Sequence, residues 1–244
     1  MTDLSRSVGR HGESGAGTVG GRGVLEGAFA LLDVLAEVGE VGLTRLSEAA
    51  DLPKATVHRL LGQLTAFGAV EKRGDRYRIG PVVFRLGQAW QPDPTLLRAA
   101  QGPMLRLART TGASVGVGIP AYGQVVVVGA VPGESAGRAP MEPGMAWPRF
   151  TAAGKVLRAW TSAGTPGAAA MPAAEVARIR AAGVAFDHGG NVSSGVRCGA
   201  VPLMGVDADT PVAVLCAMVG AAYPLPRLAA ALTRTGAVIA AALP

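Results

Sequence analysis

The chain has 244 residues, 49% of them apolar and 5% aromatic, with a formal charge of +6 and two cysteines. That is length for one large domain or two small ones, with a core built from Val, Leu, Ile and Ala. Two cysteines exclude a disulfide framework, no paired Cys/His spacing points to structural zinc, and no apolar run approaches the length of a membrane span. With no secretory signal at the start, the expectation is a cytoplasmic chain with reduced thiols, no metal, no cofactor and no membrane contact.

Residues 1–23 are rich in Gly, Ser and Arg without periodicity and read as a disordered tail. From Val24 to Glu37 apolar residues recur at helical spacing, and Gly39 stops the helix. Thr44 sits where an N-cap belongs, before a short helix over Arg45–Ala50 with Leu46 inward. Asp51-Leu-Pro53 breaks it, with Pro53 at the first position of a third helix ending near Phe67. Val57, Leu60, Leu61 and Leu64 make an i, i+3, i+4, i+7 stripe on that helix. Thr56, Arg59 and Gln63 point roughly opposite, with Lys54 and His58 at the edge.

Ala69–Lys72 and Arg76–Ile79 then read as a hairpin joined by Arg73-Gly-Asp75, with Lys72, Arg73, Arg76 and Arg78 clustered at its tip. Charge supports a polyanionic partner here. Residues 54–98 carry eight basic and three acidic side chains, whereas residues 1–53 carry four and eight. Two short helices around a tight turn, followed by a basic hairpin, are the pattern of a winged helix-turn-helix. The second helix enters the major groove and the hairpin lies along the backbone or minor groove.

Val82–Trp90 reads as a connecting helix, Gln91-Pro-Asp-Pro94 as a break, and Thr95–Thr110 as a longer helix. Strands follow at Ser114–Ile119 and Gln124–Val131, helices at Thr151–Trp160 and Ala173–Ala182, and strands at Val184–Phe186, Val196–Leu203 and Pro211–Val219. Leu225–Ala242 closes the chain as a helix. This mixture is an α+β domain.

The stretch Gly42-Leu-Thr-Arg-Leu-Ser-Glu-Ala-Ala-Asp-Leu-Pro-Lys-Ala-Thr-Val-His-Arg-Leu-Leu61 closely resembles the helix-turn-helix of IclR-type bacterial regulators. Gly80-Pro-Val-Val-Phe-Arg-Leu-Gly87 is similar to that family's entry into its interdomain helix. Thr151-Ala-Ala-Gly-Lys155 and Ser194-Gly-Val-Arg-Cys-Gly-Ala-Val-Pro202 extend the resemblance into the second half. It implies a winged helix-turn-helix domain over 24–81, a connector over 82–94, and a GAF-like α/β sensor and oligomerisation domain over 95–244. It further implies palindromic double-stranded operator DNA, a homodimer or dimer of dimers, and a small-molecule effector. Lys54, Thr56, His58 and Arg59 become recognition contacts, and Thr44 a backbone contact.

Mapped onto this chain, the family's effector-lining positions fall at Asp187 on a turn, Cys198 on the next strand, and Ala217 and Val219 on the last one. Gly144 and Met145 join them from the loop before Thr151. Phe150 stands where a histidine is common, Ala217 and Val219 replace serines, and Asp187-His-Gly-Gly190 replaces an acidic pair. The segment between Trp160 and Gly183 is also short. A pocket stripped of hydroxyls and charge favours a less polar ligand. Two alternatives stand beside this repressor-like regulator: an interaction module whose pocket binds nothing, and a small-molecule enzyme using a His188–Cys198 pair. The second lacks an orienting third group or an oxyanion hole.

Overall fold

The computed structural model describes residues 23–121, 124–134, 141–148, 150–160, 171–187, 195–205 and 211–243. The tail up to Arg22 and His188 lie outside these residues. The chain divides between Gln91 and Pro92 into two compact units.

In the first unit, α1 (Val24–Val38) leads into the two-residue strand β1 (Val41–Gly42), then α2 (Leu43–Ala50) and α3 (Lys54–Ala66). The hairpin β2 (Val70–Arg73) and β3 (Arg76–Ile79) follows, then α4 (Pro81–Gly87). The hairpin turn is Gly74–Asp75, and β1 adds to its far side, giving an antiparallel sheet of order β1-β3-β2. Leu31 and Leu35 of α1, Leu46 of α2, Val57, Leu60 and Leu61 of α3, and Val70 and Tyr77 of the hairpin form one core. Two local readings need correction. Gly42, not Thr44, is the residue preceding α2, and Pro53 caps α3 rather than occupying its first turn.

Where the hairpin hands over to α4, a side chain at Gly80 is impossible without moving main chain. A Cβ there would lie 2.3 Å from the Gly68 carbonyl oxygen. The Gly80 amide donates to Ala69 O at 2.8 Å and closes the junction. α4 stops at Gly87, three residues before the expected end, and buries none of its residues.

The second unit begins with α5 (Pro94–Thr111), whose first turn is capped by Asp93 accepting from the Thr95 amide at 2.7 Å. Next come β4 (Ser114–Ala121), β5 (Gln124–Val131), β6 (Ala146–Trp147), α6 (Ala152–Trp160), α7 (Ala173–Ala182), β7 (Ala185–Asp187), β8 (Val196–Met204), β9 (Pro211–Gly220) and α8 (Leu225–Ala240). The strands pair antiparallel throughout, in the order β6-β5-β4-β9-β8-β7.

Helices cover both faces of this sheet. α5 and α8 press Leu96, Met104, Leu107, Leu228, Leu232 and Ile239 onto one face, against Val115, Val117, Leu203 and Leu215. On the other face α6 and α7 bring Val156, Leu157 and Ile179 against Val127, Cys198, Val214, Cys216 and Met218. Successive side chains of a strand alternate between faces, so each strand of the middle of the sheet feeds both cores.

Candidate nucleic-acid interface and effector face

The turn between α2 and α3 sets the angle at which α3 is presented. Asp51 adopts a left-handed conformation (φ 52°, ψ 50°), the Leu52 amide donates back to Ser47 O at 3.1 Å, and the Ser47 hydroxyl donates to Leu52 O at 2.6 Å. α3 then buries Val57, Leu60 and Leu61, with Leu64 half-buried. Lys54, His58, Arg59 and Gln63 are exposed and Thr56 is half-buried. None of these five side chains makes a hydrogen bond or ion pair with a described residue. Ala55, Gly62 and Ala66 are exposed around Arg59, so no bulky side chain on the outer face of the helix holds a partner away. Thr44 and Arg45 are exposed in the first turn of α2, whose amides have no side-chain cap. Arg45 was passed over in the sequence because nothing distinguished it from an ordinary surface residue.

The hairpin arginines divide by role. Arg78 donates to the Glu71 carboxylate across the ladder (Nε to Oε2, 2.8 Å), and Arg76 lies 3.5 Å from the Glu40 carboxylate while donating to the Glu40 carbonyl. These two fasten the hairpin. Lys72 sits with its ammonium 5.7 Å from the Tyr77 ring centre, a cation–π distance, and remains exposed, as does Arg73 at the tip.

In the second unit Asp187 is not on a turn: it ends β7, directly opposite Cys198 of β8. Cys198 in turn faces Met218 of β9, and Met218 faces Ser114 of β4. This row lies on the α6 side. Cys216 lies on the same side two residues along. Ala217 and Val219 belong to the opposite core, under α5 and α8. A chamber that contains Cys198 therefore takes Cys216 and Met218 from β9, and the expected grouping of Ala217 and Val219 with Cys198 fails by one residue of strand parity. Burial, with the Asp187 carboxylate beside it, pushes the Cys198 thiol up to about 12. Burial, reinforced by Cys198 and Asp187, pushes Cys216 well above the ordinary thiol range.

Trp147 and Met141 dominate this face. Gly116 and Gly118 leave a recess on β4, and Trp147 and Met141 fill it. A Cβ on Gly116 would lie 2.3 Å from Met141 Sδ and 3.0 Å from Trp147 Cη2, and one on Gly118 would lie 3.3 Å from Trp147 Cζ3. Trp147 is held by β6, which pairs Val125 with Trp147 and Val126 with Ala146. Gly144 and Met145 continue that edge, the Gly144 amide donating to Val127 O and the Val127 amide to Met145 O. Both are exposed, and Phe150 is half-buried beyond them. Lys155 of α6 reaches the Phe186 carbonyl and the Glu175 carboxylate, each at 3.4 Å, so it ties α6 to β7 and α7.

Comparison with known proteins places this architecture. The IclR helix-turn-helix domain family matches residues 24–74. BhcR of Paracoccus denitrificans, an HTH-type transcriptional regulator, is 34% identical over 116 residues, covering 47% of this chain and only 42% of BhcR. XynR of Escherichia coli, also an HTH-type transcriptional regulator, is 30% identical over 200 residues, covering 73% of this chain and 79% of XynR. The chain belongs to the IclR family of transcription regulators. The IclR fold extends over both units. An IclR homolog from Microbacterium hydrocarbonoxydans, crystallised with 4-hydroxybenzoate, matches 91% of this chain and 99% of its own with a TM-score of 0.62 at 17% identity. Among the described residues of this IclR chain, no cluster of His, Cys, Asp and Glu could hold a metal ion, and no helix is long and apolar enough to cross a membrane.

Proposed function

We propose that this chain represses transcription as a homodimer bound to a palindromic operator, with affinity set by a small, fairly apolar effector. The observation that carries the reading is the division of α3, with an aliphatic stripe locked in the core and Lys54, His58, Arg59 and Gln63 outside without partners. Such a helix can enter a major groove, where Arg59 and Gln63 reach base edges and Lys54, Thr56 and His58 reach phosphates or bases. Lys72 and Arg73 extend the contact from the hairpin, with Arg76 positioned by Glu40. Thr44 and Arg45 face a phosphate at the start of α2.

Two features support a dimer. One recognition helix reads too few base pairs for adequate specificity, so two half-sites are needed. Leu25 and Phe29 on α1, with Phe84, Leu86 and Trp90 on and after α4, are 55–75% exposed. Apolar surface of that size calls for a second copy. The effector reading draws on the α6 side of the sheet, where Met141, Trp147, Cys198, Cys216 and Met218 leave Asp187, Ser114 and Thr151 as the buried polar groups among the described residues. That lining suits an apolar ligand. One observation favours a second reading, a sensor that binds nothing: Trp147 and Met141 already occupy the recess over Gly116 and Gly118.

The experiment is operator binding by fluorescence anisotropy, using a duplex identified by footprinting its own promoter region. Arg59→Ala is expected to cost about 1–3 kcal/mol of discrimination for a base-edge contact, roughly 5- to 150-fold, with an unchanged melting temperature. Operator affinity that survives the substitution overturns the recognition-helix assignment.

A further inference from the structure

The two helical layers of the second unit treat their cations differently. In the α6/α7 layer Lys155 and Arg178 share Glu175 at 3.4 and 3.8 Å, and Arg180 donates to the Ala159 carbonyl. In the α5/α8 layer, Arg98, Arg106, Arg109, Arg227 and Arg234 are all exposed. Neither α5 nor α8 contains an acidic residue. None of the five guanidinium groups makes an ion pair or hydrogen bond with a described residue. Asp93 is taken up by the Thr95 amide, and the Glu134 carboxylate stands against Gly112 after the helix.

Spacing puts these arginines in lines. Arg98 and Arg109 are eleven residues apart, three turns of helix, and so share one edge of α5 about 17 Å apart along the axis. Arg227 and Arg234 are seven apart and share one edge of α8, about 10 Å apart. These edges lie opposite the buried residues Leu96, Met104 and Leu107 on α5, and Leu228 and Leu232 on α8. A span of 17 Å covers about five phosphates of one DNA strand at ~3.4 Å of axis each. Neither helix carries an aromatic residue, and the outward positions beside the arginines are Gln101 and Leu105 on α5 and Ala230, Thr233 and Val238 on α8. A protein partner is recognised through a cluster of buried aromatic and aliphatic anchors, whereas this face has no aromatic and one exposed large aliphatic side chain on each helix, Leu105 and Val238. A regular polyanion needs only the charges.

We propose that the outward face of α5 and α8 is a second DNA-contacting surface, binding the phosphate backbone of duplex DNA without regard to sequence. It rests on the preceding section only in taking duplex DNA as the partner. The test uses the full-length protein and a mixed-sequence duplex of about 60 base pairs lacking the operator, with affinity measured against salt. The triple substitution Arg98→Gln, Arg109→Gln, Arg234→Gln is expected to flatten the slope of log affinity against log salt. The loss should be about 0.9 for each arginine that meets a phosphate, with the melting temperature unchanged. The corresponding Lys triple should keep the wild-type slope, since a phosphate needs only the point charge. A Gln triple with the wild-type slope and affinity overturns the proposal, and an acidic protein captured by an otherwise unchanged variant does the same. The two readings fail separately: Arg59→Ala should lose operator preference yet keep most of the salt slope, whereas a wild type that binds no duplex at all sinks both.

Discussion

Asp187 and Cys198 stand opposite each other in the β7–β8 ladder, so a buried carboxylate and a buried thiol share the α6 side of the sheet. Burial first, and Asp187 second, push the Cys198 thiol up to about 12, and burial likewise holds Cys216 well above the ordinary thiol range. A neutral, buried thiol is a poor nucleophile.

Both cysteines should therefore resist alkylation in the native protein at pH 8 and react only on unfolding. The same shift has a stability consequence. In the unfolded chain these thiols ionise near pH 9, whereas in the folded chain Cys198 keeps its proton to about pH 12 and Cys216 keeps its own well above pH 9. Above pH 9 the unfolded state binds fewer protons, so stability is full below that point and falls as pH rises toward 12. Guanidinium midpoints at pH 8 and 10 should show a larger drop in the wild type than in Cys198→Ala/Cys216→Ala. Equal drops, or native thiols that react as freely as a small-molecule thiol, would show that the pair is not sealed.

The two faces of α3 predict opposite phenotypes. Leu61 is fully buried among α1, α2 and the hairpin, so Leu61→Ala should cost about 2–5 kcal/mol of stability and carry DNA binding down with it. Gln63 is exposed two residues on, and Gln63→Ala should change stability by no more than about 0.5 kcal/mol while weakening operator binding. Chemical denaturation and anisotropy on the same samples separate the effects. A destabilised Gln63→Ala with normal DNA affinity would mean the helix is presented the other way round.

The stripe Val57, Leu60, Leu61, Leu64 was legible because a helix with one wet face writes its period into the sequence. β9 wrote nothing of the kind. From Pro211 to Val219 only Val212 is exposed, because helices cover both faces, and a uniformly apolar run does not say which residues share a side. The family resemblance puts Ala217 and Val219 with Cys198, and a run without polar alternation hides that Cys216 and Met218 hold that side. The same resemblance puts Asp187 on a turn, and only the ladder shows it ending β7 opposite Cys198. The two-residue strands β1 and β6 are too short to show alternation. The hairpin's positive charge could be counted, but the diversion of Arg76 to Glu40, thirty-six residues away, required the fold.

The decision between a working and a sealed sensor turns on Trp147. Its ring is buried over Gly116 and Gly118, yet its backbone belongs to a strand of two residues at the sheet edge, paired only with β5. Moving it breaks a short ladder and leaves the central strands intact. Trp147→Ala should cost about 3–5 kcal/mol, the range for emptying a large buried aromatic site. The recess so opened is apolar, and indole added to the variant should restore part of the lost melting temperature, as apolar cavities accept apolar guests. If an effector normally displaces the ring, removing the ring should also tighten effector binding, because the ligand no longer competes with it. A compound that shifts the wild-type melting temperature should then shift the variant's by more at the same concentration. If the sensor is sealed, no metabolite moves the wild type and indole acts on the variant alone. A Trp147→Ala protein that melts with the wild type would show that the ring contributes little where it sits, and the effector face would have to be sought elsewhere on the sheet.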